Sequence, residues 1–368
     1  MKKTLLLFFF CSHIYSQNYK KEKNLHKHSA EINSITTTND FFATSSSDKS
    51  VIVWNYKGKK IYEYKIKEGK INTLKFIPKS NILLVATTEK KNKKNKKYFL
   101  KSIDIKGNLL KVFIDSTLSQ PYVDSLFLSN NKGVLKATSS INNKFTSLNV
   151  WKSLNIPSAK NGLSHSEYIQ SISISPNNNL IATIDYYRNL KIWDLNGNII
   201  YKSKIFNNKK RTNIFFISNT TLFITPNITL NFELNNLKKI EGYENFMTTP
   251  LNTKLYCYFD YHFPTENEKI LDIKSGSVNF IDSKNIYSIK TVTSKKYFVN
   301  LGADRIVRVR SENGKMLTSF GKTKKESTFL GKKALIKYSD ITEIGISPNS
   351  DYIISGTKSG KITIWRKQ

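Results

Sequence analysis

An all-β fold, made by repeating one small sheet along the chain, is what this sequence of 368 residues predicts. Three observations lead there: a segment that recurs at a fixed spacing, apolar alternation at the strand period within it, and the lack of any capped apolar stripe at the helical period. The recurrence is plainest between residues 169–193 and 341–365, which lie 172 residues apart and share nine identities in 25 positions. Those identities include the Ser-Pro-Asn runs beginning at Ser175 and Ser347 and the closing Trp193 and Trp365. A spacing of 172 is four times 43, so the two copies stand four repeats apart. A third copy, residues 31–54, is one residue shorter in its first turn.

Each copy reads as three strands. Ile172 and Ile174, then Ile181 beyond the turn, mark short runs with one face buried. Ser-Pro-Asn makes the first turn, because Pro fixes φ and Asn tolerates the left-handed conformation. A second turn leads into a β-rich run that closes on an aromatic, LKIW in one copy and ITIW in the other. Such third-strand endings recur at Trp54, Asp104, Trp151, Trp193, Phe232, Asp272, Arg310 and Trp365. That makes eight units; seven is the alternative, if a degenerate unit is a long insertion. The first interval is stretched by the lysine-rich run 89–97, EKKNKKNKK, read as an exposed loop. The last is stretched by residues 321–337, read as an extended outer loop.

Ser-Pro-Asn followed by Trp 17 residues after the Pro, in two copies, resembles the WD40 repeat of β-propellers, and so does the pair Trp193-Asp194. The likeness is closest in the first repeat, where SSSDKSVIVW places Asp48 six residues before Trp54 and His28 lies upstream. The resemblance implies one β-propeller of four-stranded blades over residues 17–368. It also implies a structural brace of His28, one of the hydroxyls Ser45, Ser46 and Ser47, Asp48 and Trp54. Trp151, Trp193 and Trp365 become the repeat-closing aromatics. Elsewhere the pattern departs: Asp304 precedes Arg310, while Ser359 and Tyr187 take the Asp position before Trp365 and Trp193. His165 precedes the fourth repeat much as His28 precedes the first. Only three residues follow Trp365, so the N-terminal stretch 18–27 is expected to supply the fourth strand of the last blade and cover its edge.

Residues 1–16, with Lys2 and Lys3 ahead of an apolar run and Ser16 before Gln17, have the pattern of a secretory signal peptide. The expected location is therefore the periplasm or the cell exterior. Phe10 sits where a lipidation motif at Cys11 would need Gly or Ala. The 352 residues after Ser16 divide into eight units averaging 44, and no apolar run among them reaches membrane-spanning length. Two cysteines, Cys11 and Cys257, exclude a disulfide scaffold. The net charge of +32 arises from 59 Lys and Arg against 27 Asp and Glu, but only six of the basic residues are Arg. Base readout favours the Arg fork, and an exported protein seldom meets a chromosome, so nucleic acid is not the expected partner. An anionic envelope polymer remains open, with Lys90, Lys91, Lys93, Lys94, Lys96 and Lys97 as its contact loop.

No nucleophile elbow, P-loop or dinucleotide fingerprint is present. His26 and His28 alternate as if on one strand face, but without the acids or cysteines a metal site needs. Glu266 and Glu268 read as solvated charge, and the aromatic run 256–263 as core. No cofactor is expected. The function that follows is a non-catalytic scaffold binding protein partners through propeller loops. A channel-centred ligand binder or enzyme is the alternative.

Overall fold

The computed structural model describes residues 19–368 apart from 68, 77–80, 91–95, 117–125, 129–134, 142–144, 152–158, 166–168, 176, 178, 186, 195–197, 206–211, 226–227, 240–245, 252–253, 260–267, 273–277, 282–287, 295, 322–323, 330–331 and 338–339. The expected signal peptide lies outside the described residues. Among these residues there are strands and turns but no helix, and hence no helix long and apolar enough to cross a membrane.

Eight four-stranded antiparallel sheets are described. In chain order sheets 1 to 7 occupy residues 32–65, 70–116, 126–165, 169–204, 214–239, 246–281 and 288–320, each a meander of four consecutive strands. Sheet 8 takes three strands from residues 341–367 and its fourth from Tyr19–His26, which pairs antiparallel with Lys361–Lys367. The two ends of the described chain thus close one sheet. Each expected third-strand ending falls on or beside the third strand of its own sheet. The register refines three of them: Ile103, Leu230 and Leu271, not Asp104, Phe232 and Asp272, stand where Trp54 stands in sheet 1. Phe232 lies just past its strand. Asp104 and Asp272 instead match the Asp of Trp193-Asp194.

The sheets pack face to face through their first strands. Sheet 1 touches sheets 8 and 2 in this way, and like contacts join sheet 2 to 3, 3 to 4, 4 to 5 and 7 to 8. Ile270 and Ile281 of sheet 6 meet Phe298 of sheet 7. The core is accordingly a series of apolar layers between neighbouring sheets, not one central mass. One layer joins Ile52 and Trp54 of sheet 1 to Ile354, Ile362 and Ile364 of sheet 8; another joins Val53 to Leu74 and Val85 of sheet 2. This is the arrangement of a propeller, in which every sheet must be apolar on both faces. The two middle strands therefore read as nearly continuous buried runs, as in Ser50–Asn55 and Tyr297–Gly302.

Hydroxyls tie the first strands together. Thr36 Oγ1 accepts the Phe76 amide at 3.1 Å, and Ser171 and Ser173 accept those of Ile214 and Phe216 at 3.1 and 2.9 Å. Thr37 and Thr342 donate across the seam between sheets 1 and 8, to Ile346 O at 2.7 Å and Ile32 O at 2.9 Å.

Residues 321–337 are not the loop their composition suggests. Lys324–Phe329 and Lys332–Lys337 pair as a hairpin outside the eight larger sheets. Backbone groups make the ladder, so the charged side chains of the arms, KKESTF and KKALIK, do not prevent pairing. The lysine-rich run is likewise not all loop: Glu89 pairs with Lys97 and Lys90 with Lys96, extending the hairpin of sheet 2. Lys91, Lys93 and Lys94 lie outside the described residues.

Candidate functional site

Sheet 1 holds a polar cluster inside an apolar blade. His28, in the connection before the first strand, is buried, and its Nδ1 lies 3.0 Å from Asp48 Oδ2 while Nε2 lies 2.8 Å from Thr44 Oγ1. Trp54 Nε1 donates to the same Thr44 oxygen at 3.0 Å. Ser50 Oγ donates to Asp48 Oδ1 at 2.6 Å, and the amides of Ser29 and Ser50 also donate to the Asp48 carboxylate. His28, Asp48 and Trp54 are thereby joined, but through Thr44 and not through Ser45, Ser46 or Ser47. The register explains the correction. Thr44 and Trp54 point to the same face of neighbouring strands, two residues out of step, whereas Ser45 faces the other way. Ser46 serves the turn, donating to Ala30 O and accepting from the Asp48 amide. His26 is exposed at the end of its strand and does not share a face with His28.

Burial holds the His28 pKa below its ordinary value, outweighing the pull of Asp48. The hydrogen bonds of Asp48 hold its carboxyl below the usual carboxylate value, although its partial burial acts the other way. The cluster is thus a neutral imidazole and a carboxylate, mutually satisfied. Its effect is to fix the turn between the second and third strands.

The same hydrogen bond recurs ten residues before the other two described tryptophans. Trp193 Nε1 donates to Thr183 Oγ1 at 2.8 Å and Trp365 Nε1 to Ser355 Oγ at 3.0 Å. A hydroxyl ten residues before each Trp was the sequence signal for Thr44. Trp151 has Ile141 in that place, and its side chain is outside the described set. The turn backbone also recurs: Lys49, Arg188, Arg305 and Gly360, each five residues before the Trp position, have φ of 68, 66, 57 and 82°. Each donates its amide to the carbonyl three residues back. At Gly360 a Cβ would lie 2.5 Å from His28 O, so this sheet admits no side chain there. The turn therefore persists without the brace. His165 lies on a strand of sheet 3, with its backbone opposite Thr146.

The surface carries a second repeated feature. Residues opposite the Trp position on the fourth strand are Leu109, Ile199, Leu237 and Met316 in sheets 2, 4, 5 and 7, and all four are exposed. Leu110, Ile200 and Leu234 enlarge this apolar outer rim, Leu234 being 74% exposed. On sheet 4, Lys191, Lys202 and Lys204 line a cleft of about 390 Å³ beside the buried Asp185. Among the described residues no group of three or more His, Cys, Asp or Glu is placed to hold a metal.

A family profile described as WD domain, G-beta repeat, matches residues 19–55, 160–194 and 332–366. WD40 repeats are matched at these three places. Each match spans a second-to-third-strand turn and the tryptophan that follows it. The first of them takes in the whole brace of sheet 1. Among solved structures, the computationally designed Ika8 protein is similar over 93% of this chain and 98% of its own, with 14% identity and a TM-score of 0.66. That likeness is one of fold. No curated protein matches the chain. WD40 repeats generally mediate protein interactions, and the propeller-like fold fits an interaction scaffold.

Proposed function

We propose that this protein is an exported, non-catalytic scaffold that captures protein partners at the rim of its propeller. The observation that carries the reading is the recurrence of exposed apolar residues at one position of the WD40 unit. Single exposed apolar residues are ordinary, whereas large ones repeated on the same strand of several sheets form a surface suited to partners. The polar constellation of sheet 1 supports the non-catalytic part, since every member is engaged in holding a turn. The N-terminal pattern of residues 1–16 supports export and a role in the cell envelope or outside it.

The test is affinity capture by the mature chain from envelope extracts at low and high salt. Protein partners retained at high salt, and lost on substituting Leu109 and Leu110 by Ser, support the reading. Capture that falls steeply with salt and does not depend on Leu109 or Leu110 would replace it with binding of an anionic envelope polymer by the lysines.

A further inference from the structure

The place that holds the brace in sheet 1 is a cleft in sheet 4. Strand pairing sets the two sheets in register: Asn189, Lys191, Lys202 and Lys204 stand where Ser50, Ile52, Glu63 and Lys65 stand in sheet 1. In sheet 1, Ser50 Oγ lies 2.9 Å from His28 Nδ1, so the imidazole sits over these strands. In sheet 4, Asn189 turns instead to the buried Asp185, donating its amide and its Nδ2, each at 2.8 Å. Tyr187, at the position of Asp48, is 57% exposed. His165, at the position of His28, lies on a strand of sheet 3.

The cleft, of about 390 Å³, is lined by three lysines and one acid, Asp185. Lys191 stands directly opposite Lys202, and Lys204, two residues along the same strand, faces the same way. Like charges set opposite one another on neighbouring strands destabilise a sheet, and an anion placed between them offsets the repulsion. Sheet 1 avoids the conflict, because Ile52 faces Glu63 there and Glu63 pairs with Lys60 and Lys65. Lys202 and Lys204 are exposed and make no hydrogen bond or ion pair among the described residues. Lys191 Nζ lies 5.3 Å from the centre of the Trp193 ring, which holds it against the sheet. Asp194, on the same strand, is bound to Asn198 at the other end of the sheet. Glu167, just ahead of the first strand of sheet 4, lies outside the described residues.

We propose that this cleft binds a small multivalent oxyanion, a molecule with two or more negative charges, on Lys202, Lys204 and Lys191. Its volume stands at the lower end of small-ligand sites, so it admits more than a single monovalent ion. Lysines act as point charges without a fixed fork, so linked phosphates and linked carboxylates meet the same chemistry.

Isothermal titration of the full chain with inorganic pyrophosphate and, separately, with citrate tests this at constant ionic strength. The expected result is saturable binding of one anion per chain, and the tighter of the two probes assigns phosphate or carboxylate as the preferred group. Binding should weaken about tenfold or more in Lys202→Glu, which installs the residue of sheet 1, and in Lys204→Met. Lys65→Met, at the matching place in sheet 1, is expected to leave the affinity unchanged, as is Glu167→Gln. Thermal melts add a second reading, with the anion raising the Tm of the wild type and of Lys65→Met but not that of Lys202→Glu. No saturable binding of either anion, or unchanged affinity in Lys202→Glu or Lys204→Met, overturns the site. Equal loss in Lys65→Met overturns it too, because that marks diffuse surface charge. Binding seen only in Glu167→Gln does the same, since the chain's own carboxylate then occupies the lysines. Should Lys202→Glu not fold, Lys204→Met decides on the same criteria.

Discussion

Thr44 is the residue on which the sheet 1 brace turns, because its single oxygen serves both His28 and Trp54. Thr44→Val keeps the shape and leaves two buried ring N–H or N groups without their partner, so a loss of about 1–3 kcal/mol is expected. Ser45 next to it is the control: its Oγ is buried with no partner, and Ser45→Ala is expected to be neutral or slightly stabilising. Urea denaturation of both variants checks the contrast. The brace also sets a pH dependence. His28 in the folded chain has a pKa depressed below 6.5, so the unfolded chain takes up a proton first as the pH falls. Stability linked to His28 is therefore complete above about pH 6.5 and declines below it until the folded pKa is passed. Comparing wild type with His28→Gln at pH 7.5 and 5.5 isolates this, and the wild type should lose more stability over that interval. At this scale the sequence revealed three of the four brace members. Thr44 was hidden among four consecutive hydroxyl residues, 44–47, which only strand register distinguishes.

The decisive element is the N-terminal strand, Tyr19–His26. It buries Tyr19 and Leu25 against sheet 8 and covers the edge of Lys361–Lys367. Tyr19 also donates its hydroxyl to Ser350 O at 2.5 Å. Deleting residues 19–27 removes burial of about 1.5–3 kcal/mol for Leu25 alone and exposes a strand edge. A lower melting temperature and concentration-dependent association in light scattering are the expected outcomes. The hairpin of residues 324–337 is the opposite case, since its strands pair only with each other. Replacing residues 322–339 with a short flexible linker should leave the melting temperature within a few degrees, because loop length enters stability only logarithmically. The strands themselves were legible wherever β-branched residues alternate or run together. The two lysine-rich segments were not, because charge marks exposure and says nothing about pairing, and an exposed hairpin pairs as well as a buried one.

At the scale of the whole molecule, the repeat explains why so divergent a chain keeps one architecture. Each sheet needs apolar residues on both faces, and the left-handed turn residue of sheets 1, 4 and 8 survives in sheet 7, where the tryptophan and the brace do not. In sheet 7, Arg310 occupies the Trp position and the ion pair of Asp304 with Arg308, at 2.5 Å, steadies the turn. The net charge of +32 is spread over the surface, but the outer rim set within it is apolar. Charge governs long-range attraction and is screened by salt, while buried apolar area governs retention. The salt dependence of partner capture reads this division directly.

What the sequence by itself determined was the all-β class, the unit length, the three conspicuous tryptophan-closed repeats and the use of the N-terminal stretch as a last strand. These are local or periodic properties, and periodicity is written along the chain. Only the tertiary structure decided that Thr44 completes the brace, that the lysine-rich segments form hairpins, and that Lys290 and Glu343 of different sheets form an ion pair. Each depends on which strands lie side by side. Contacts between residues 331 positions apart, such as Tyr19 and Ser350, follow from which strands close sheet 8. No window of sequence contains that information.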